Sequence, residues 1–155
     1  MGIYLNPTNE KFQRSLNSEI YVDKSLLISY TNSVLETNQQ YLCVSRPRRF
    51  GKSMALDMLA AYYGRFNDSS RQFNELKIAE DDKYSKYLNK YNVISINMQE
   101  FLSNSDNVEE MLTMLKNACF LIFVISTQMW CCLTKTILHL PCRIFIVQKK
   151  FHLLF

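Results

Sequence analysis

The C-terminal part of the chain lacks acidic residues. All 14 Asp and Glu residues lie before Ala118, whereas the 18 Lys and Arg residues continue as far as Lys150. The formal net charge of +4 therefore comes from residues 118–155, and the preceding part is neutral overall. The same tail contains no glycine. A composition break this abrupt indicates two kinds of sequence, which must be interpreted separately.

Two other absences limit the class of protein. The first 17 residues lack the apolar core of a secretory signal peptide. The five cysteines have no regular spacing, which excludes a disulfide framework. We therefore expect a cytoplasmic protein in a reducing compartment. Hydrophobic residues make up 48% of the chain and charged residues 21%, a balance that is typical of a globular domain and excludes a disordered one.

The most informative stretch is a basic loop between an apolar run and an amphipathic helical pattern. The run Tyr41–Val44 predicts a strand, and the loop ends in Gly51, Lys52 and Ser53. In a phosphate-binding loop the backbone N–H groups wrap the phosphates, a lysine reaches the terminal phosphates and a Ser or Thr hydroxyl ligates Mg²⁺. Lys52 and Ser53 would take these two roles. The N-terminus of the predicted helix would add its positive dipole end.

The first glycine of the motif G-x-x-x-x-G-K-[ST] is absent, because Arg46 occupies its position. A residue with a Cβ atom cannot make every turn that glycine makes, so we expect Pro47 to shape the start of the loop. Arg46, Arg48 and Arg49 add positive charge that could clamp phosphate oxygens. The spacing leaves three interpretations open: nucleotide phosphate binding, which we favour, contact with a nucleic-acid backbone, and a solvated basic loop.

Three separated blocks, Ile20–Ser25 (IYVDKS), Ser45–Met54 (SRPRRFGKSM) and Leu59–Tyr63 (LAAYY), resemble the N-terminal part of the AAA-ATPase-like family. The resemblance covers roughly residues 1–117 and implies an α/β fold: an incomplete P-loop NTPase of the RecA/AAA type, with a parallel sheet flanked by helices. It also implies ATP and Mg²⁺ as cofactors. Members of the family commonly carry a PD-(D/E)XK nuclease-like domain further along, which would bring nucleic acid as a partner.

The resemblance assigns cofactor binding to a variant Walker A loop, with Ser53 as the metal ligand. Its residues are Arg46, Pro47, Arg48, Arg49, Phe50, Gly51, Lys52, Ser53 and Met54. Hydrolysis in this fold usually needs a strand that ends in Asp, whose carboxylate holds Mg²⁺. The predicted strand Val93–Met98 instead has Asn97 at its expected end. We therefore expect ATP binding without an identifiable catalytic residue.

Apolar spacing and end signals predict the remaining elements. One or two surface helices are expected between Phe66 and Tyr91, where Phe73, Leu76 and Ile78 serve as anchors. A short helix is expected around Phe12 and Leu16, and a helix from Lys52 to about Tyr63 is ended by Gly64. Another helix, capped by Asp23, runs to about Glu36 with Leu27, Tyr30 and Val34 on one face. Asp23 and Lys24 could contact a ligand, but we favour a helix start for this pair. The last helix is opened by an Asp106/Glu109 capping box, and its buried stripe is Val108, Met111, Leu112 and Leu115.

Residues 118–155 form a hydrophobic tail with three interpretations. The uncharged stretch Asn117–Thr134 has a borderline transmembrane length, although we expect no membrane association for the rest of the chain. Alternatively, Phe120–Ile125 and Arg143–Val147 are buried strands. We favour a third interpretation, an out-of-frame sequence, because propensity, charge and turn chemistry fail together at one boundary. We therefore expect a truncated P-loop domain over 1–117 and an aberrant tail over 118–155.

Overall fold

The computed structural model describes residues 4–133 and 144–149, and the side chains of residues 4–120. The elements are α1 (Glu10–Leu16), α2 (Leu26–Val34), α3 (Lys52–Tyr63), α4 (Ser70–Phe73), a 3₁₀ helix (Lys77–Glu80), α5 (Tyr84–Tyr87), β1 (Asn92–Asn97), α6 (Met98–Ser103), α7 (Val108–Leu133) and β2 (Ile144–Lys149).

The predicted fold class, a parallel sheet flanked by helices, is wrong for the described residues. The structure is 50% helix and 8% strand. Its strands are β1 and β2, which pair with each other in parallel from Asn92 opposite Ile144 to Asn97 opposite Lys149. On the other side of β1, an antiparallel bridge joins Leu5 to Ile94. Both edges of β1 are thus occupied within the described residues, and no sheet of the RecA type forms there.

The predicted strand Tyr41–Val44 is also wrong, since these residues adopt no regular structure. Tyr41 is 87% exposed, and every residue from 41 to 50 is exposed. A β-rich run becomes a strand only when a neighbouring strand accepts its backbone hydrogen bonds. Within the described residues no strand pairs with this segment, and β1 already pairs with Leu5 and β2. The basic loop therefore follows an exposed segment instead of a buried strand.

The predictions for α3 and β1 are confirmed to within one residue, and the short helix predicted around Phe12 and Leu16 is confirmed as α1. α3 begins at Lys52 and ends at Tyr63, and Gly64 follows as its C-cap. Gly64 adopts an extended conformation with φ of −65°, so the helix ends without a left-handed residue. The glycine is needed for space, because a Cβ atom there would lie 2.8 Å from the carbonyl oxygen of Ala60.

The core is aromatic and surrounds the C-terminal half of α3, where Met58 to Tyr63 are all buried. Phe12 of α1 stacks on Phe73 with ring centroids 5.0 Å apart, and Tyr62 meets Phe73 edge to face at 5.4 Å. Such pairs add about 0.5–1.5 kcal/mol each beyond the burial of their area. Of the three predicted anchors, Phe73 and Ile78 are fully buried and Leu76 packs partly buried against the core. Between Phe66 and Tyr91, single turns replace the predicted surface helices.

The buried face of α2 differs from the predicted one. Tyr30 is 57% exposed, whereas the buried residues are Ile28, Thr31, Asn32 and Val34. Of the predicted residues, Val34 is buried and Leu27 packs partly buried against the core, so the prediction is wrong for Tyr30 and missed the polar residues Thr31 and Asn32. The predicted cap is also wrong: Asp23 precedes the N-cap residue Ser25, and its carboxylate accepts a hydrogen bond from the Ser25 N–H group at 2.7 Å.

The cap of α7 is shifted by one residue from the predicted position. Instead of the predicted Asp106/Glu109 box, Asn107 accepts a hydrogen bond from the Glu110 N–H group at 2.8 Å. Glu110 in turn accepts one from the Asp106 N–H group at 2.9 Å. The predicted buried stripe on this helix is wrong as well, since Val108 is 61% exposed and Leu112 43% exposed.

The structure tests two of the three interpretations of the tail, the buried strands and the membrane-spanning stretch. The predicted strand Phe120–Ile125 is wrong, because α7 runs through it to Leu133. The predicted strand Arg143–Val147 corresponds closely to β2, although Arg143 lies outside the described residues. Among residues 4–133 and 144–149, no helix combines the length and the apolar character needed to span a bilayer. The division at residue 117 and the out-of-frame interpretation stay predictions.

Candidate functional site

The basic loop turns into α3 through two residues with positive φ. Arg49 has a φ of +68°, and Gly51, the N-cap of α3, has φ of +73° and ψ of +25°. Gly51 takes this left-handed conformation without strain, whereas a residue with a Cβ atom does so at a cost. Left-handed residues next to right-handed ones turn successive N–H groups to one side, which produces an anion-binding concavity. At the start of α3, left-handed Gly51 precedes the right-handed helical residue Lys52, the sequence of conformations that such a concavity requires.

The Lys52 side chain folds back over the loop. Its Nζ donates hydrogen bonds to the Arg46 carbonyl oxygen and, at 2.9 Å, to the Pro47 carbonyl oxygen. The ammonium group thus bridges the start of the loop to the first residue of α3. The structure brings Arg46, Pro47 and Lys52 together in this way. An incoming anion could replace these two carbonyl oxygens as the hydrogen-bond acceptor of the Lys52 ammonium group.

The side chains of most predicted site residues are accessible. Arg46, Arg48, Arg49 and Phe50 are exposed, and Phe50 has 61% of its surface accessible. Ser53 and Met54, in the first turn of α3, are exposed too. A hydroxyl in the first turn of a helix is accessible to a metal ion that accompanies a phosphate.

The charge of the loop has one sign. No Asp or Glu lies between Glu36 and Asp57, while Arg46, Arg48, Arg49 and Lys52 are all basic. These cations lie at the N-terminal end of a 12-residue helix, whose dipole is positive at that end. Cations at this end repel the dipole, so the arrangement favours a negatively charged ligand over a neutral or cationic one.

Lys24 is a residue that sequence reasoning did not place at the site. Its Nζ donates a hydrogen bond to the Phe50 carbonyl oxygen at 2.8 Å. It would lie 2.7 Å from a Cβ atom at Gly51. The sequence left contact of Asp23 and Lys24 with a ligand open, although a helix start was the favoured interpretation of the pair. The structure instead brings Lys24 against the basic loop.

The end of β1 carries an amide, as the sequence predicted. β1 ends at Asn97, whose side-chain oxygen accepts a hydrogen bond from the Gln99 N–H group at 3.3 Å and so caps α6. Asn97 thus has a structural role at the position where the resemblance leads one to expect an acidic metal ligand. Within the described part of the chain, no group of three or more His, Cys, Asp or Glu side chains is arranged to hold a metal ion.

Comparison with protein families identifies the class to which this loop and helix belong. Residues 10–132 match the AAA-ATPase-like family, described as predicted AAA-ATPases. The match covers more than half of the chain, and the chain therefore belongs to the AAA-ATPase-like family, as its three sequence blocks indicated. Membership indicates nucleotide binding as the general class of function. No curated protein and no solved structure shows a significant match to the chain.

Proposed function

We propose that the chain binds a nucleoside triphosphate, ATP together with Mg²⁺, at the loop Arg46–Met54. The observation that carries the proposal is the position of Lys52: its ammonium group lies over the loop, at the first residue of a helix whose N-cap is a left-handed glycine. A lysine in this position can reach the terminal phosphates, and the N–H groups around Gly51 can surround the phosphate oxygens.

The residues present fit such a ligand. Arg48 and Arg49 offer planar guanidinium groups that can bind phosphate oxygens in pairs. Ser53 offers an exposed hydroxyl to Mg²⁺, and the phosphates with water can supply the other oxygen ligands that this ion requires. Bound Mg²⁺ would neutralise part of the phosphate charge. We assign no catalytic residue, because β1 ends in the Asn97 amide and not in a carboxylate.

Calorimetric titration of the full chain with ATP and Mg²⁺ tests the proposal. The Lys52→Ala variant removes the charge that reaches the phosphates, and we expect it to abolish detectable binding. Lys11→Ala, which removes an exposed lysine from α1, is the matched control and should bind as the original chain does. Unchanged affinity in the Lys52→Ala variant would overturn the assignment.

The same titration at several salt concentrations separates ATP from the competing ligand, a nucleic-acid backbone. Binding to a polynucleotide weakens steeply with salt, because each neutralised phosphate releases counterions. We expect single-stranded DNA to compete poorly with ATP at 150 mM salt, roughly the physiological level at which screening of exposed charges is already strong. Strong DNA binding with no affinity for free ATP would contradict the proposal and favour the nucleic-acid interpretation.

A further inference from the structure

The segment Asp23–Ser25 is fixed to the core by the residues on either side of Lys24. The Asp23 carboxylate accepts hydrogen bonds from the N–H groups of Ser25, at 2.7 Å, and Lys77, at 3.0 Å. The Ser25 hydroxyl oxygen accepts one from the N–H group of Ile78 at 3.1 Å, and Ser25 is fully buried. Both side chains therefore tie the start of α2 to the 3₁₀ helix, and the backbone of Lys24 is held between them.

The ionisation of Asp23 is consistent with these contacts. Desolvation raises the pKa of its carboxyl group, but the hydrogen bonds from the Lys77 and Ser25 N–H groups outweigh that effect, so the pKa lies below its usual value. The carboxylate is thus charged at neutral pH and accepts both hydrogen bonds. This fixed backbone gives the exposed Lys24 side chain a defined starting point from which to reach the basic loop.

The loop contact of Lys24 fixes one peptide group. Its Nζ donates to the Phe50 carbonyl oxygen at 2.8 Å. In a planar trans peptide the carbonyl and the following N–H group point in opposite directions. When Lys24 holds the Phe50 carbonyl on its own side, the Gly51 N–H group is directed away from Lys24. Gly51 is also the residue at which α3 starts and at which the backbone is left-handed.

A Cβ atom at Gly51 would lie 2.7 Å from the Lys24 nitrogen, so a side chain there would displace the lysine from its present position. Lys24 also adds a cation beside the positive end of α3, an arrangement that is unfavourable until an anion is present. An exposed hydrogen bond contributes little to stability. These features connect Lys24 to ligand binding more than to the stability of the fold.

We propose that Lys24 is a positioning residue of the nucleotide site: it holds the Phe50 carbonyl oxygen and thereby orients the Gly51 N–H group toward the phosphates. The proposal rests on nucleotide binding at this loop and adds to it a residue that belongs to a different block of the sequence. Asp23 and Ser25 fix the backbone of Lys24, and the Lys24 side chain in turn fixes the Phe50 carbonyl group of the loop.

The three glycines of the chain provide a direct readout. Selective ¹⁵N-glycine labelling gives at most three backbone amide signals in an NMR spectrum, and the Gly51 signal is identified by its loss in a Gly51→Ala variant. We expect Lys24→Met to shift the Gly51 signal in the absence of nucleotide and to leave the Gly64 signal in place. The Lys24→Arg variant, which keeps a cationic donor, and the control Lys11→Met should retain the original Gly51 signal.

Calorimetric titration of the same variants with ATP and Mg²⁺ completes the test. Lys24→Met should raise the Kd about tenfold or more, while Lys24→Arg and Lys11→Met should stay within about threefold of the original chain, the context-dependent spread of single contacts. An unmoved Gly51 signal in Lys24→Met would overturn the proposal. So would a moved signal with unchanged affinity, or a Lys24→Met chain that does not fold, because the lysine would then serve another purpose.

The two proposals fail in distinguishable ways. If Lys52→Ala abolishes binding while Lys24→Met binds normally, the nucleotide site stands and the positioning role is lost. If the original chain binds no ATP while the Gly51 signal still depends on Lys24, the contact exists but both the proposed function and the positioning role are contradicted.

Discussion

The two ends of α3 differ in almost every respect. The C-terminal end is buried among aromatic rings, and its last carbonyl groups are paired: Tyr62 and Tyr63 accept hydrogen bonds from the N–H groups of Asn89 and Tyr91, both at 2.8 Å. The N-terminal end is accessible, cationic and joined to an exposed loop. One end is thus held by the core, and the other is available to a ligand.

Buried polar groups strengthen the C-terminal end of α3 further. The Tyr63 hydroxyl donates to the Asn32 side-chain oxygen at 2.7 Å, and Asn32 donates to the Tyr62 hydroxyl at 3.1 Å. Tyr62 in turn donates to the Tyr84 carbonyl oxygen at 2.6 Å. Burial raises the pKa of Tyr62 to about 12 and raises that of Tyr63 as well, so both hydroxyls stay protonated. A helix fixed so firmly at one end can present a ligand-binding turn at the other in a constant position.

The largest effect is expected where the core is disrupted. Tyr63→Ala removes a fully buried ring and leaves Asn32 without its donor, so the free energy of unfolding should fall by about 3–5 kcal/mol. Tyr30→Ala, at a position 57% exposed on α2, should change it by no more than about 0.5 kcal/mol. Urea unfolding of both variants provides the measurement. Similar losses in the two variants would show that the C-terminal end of α3 is not specially stabilised.

The sequence predicted the local features of this helix well and its surroundings poorly. Lys52 and Gly64 mark its ends through local chemistry, which is readable from a single chain. The failure at Tyr41–Val44 has another cause: β propensity says nothing about whether a partner strand is available, and both edges of β1 are already occupied within the described residues. The fold class could not be predicted for the same reason.

Two further failures concern polar side chains. Asn32 is buried because two tyrosines satisfy its amide, and no periodicity of apolar residues reveals such a network. Lys24 reaches the loop across 26 positions of sequence, so its contact with Phe50 depends entirely on tertiary structure. The loop residues themselves were identified by type and spacing, but the partners that orient them were not.

A smaller effect is expected in the loop, where removal of a side chain should spare the fold. Arg49 has a φ of +68°, and the Arg49→Gly substitution removes the energetic cost of this left-handed conformation in a non-glycine residue. Glycine also increases the entropy of the unfolded chain, which lowers stability. These contributions oppose each other, so stability should change by less than about 1 kcal/mol. Affinity for ATP should fall about three- to tenfold, because one cation is lost, roughly 1 kcal/mol. A large loss of stability in Arg49→Gly would contradict the expected contrast with Tyr63→Ala, because the loop would then stabilise the fold as the core does.

The smallest effect concerns pH. The pKa of Asp23 is lowered in the folded chain, so its hydrogen bonds contribute stability above the ordinary Asp pKa and lose it as pH falls through the lowered value. Asp23→Asn should therefore flatten the pH dependence of stability in the acid range, below about pH 4, and leave it unchanged near neutral pH. Thermal unfolding at a series of pH values measures this. An acid-unfolding curve identical to that of the original chain would show that Asp23 does not fix the start of α2.

Trypsin digestion followed by mass spectrometry locates the ligand on the chain and so tests the central claim most directly. Arg48 and Arg49 are exposed, and trypsin should cleave after them in the free protein. Saturating ATP with Mg²⁺ should protect both bonds, adenosine should not, and Lys52→Ala should remove the protection. Cleavage at these arginines at the same rate with and without ATP would contradict binding of the phosphates at the N-terminal end of α3.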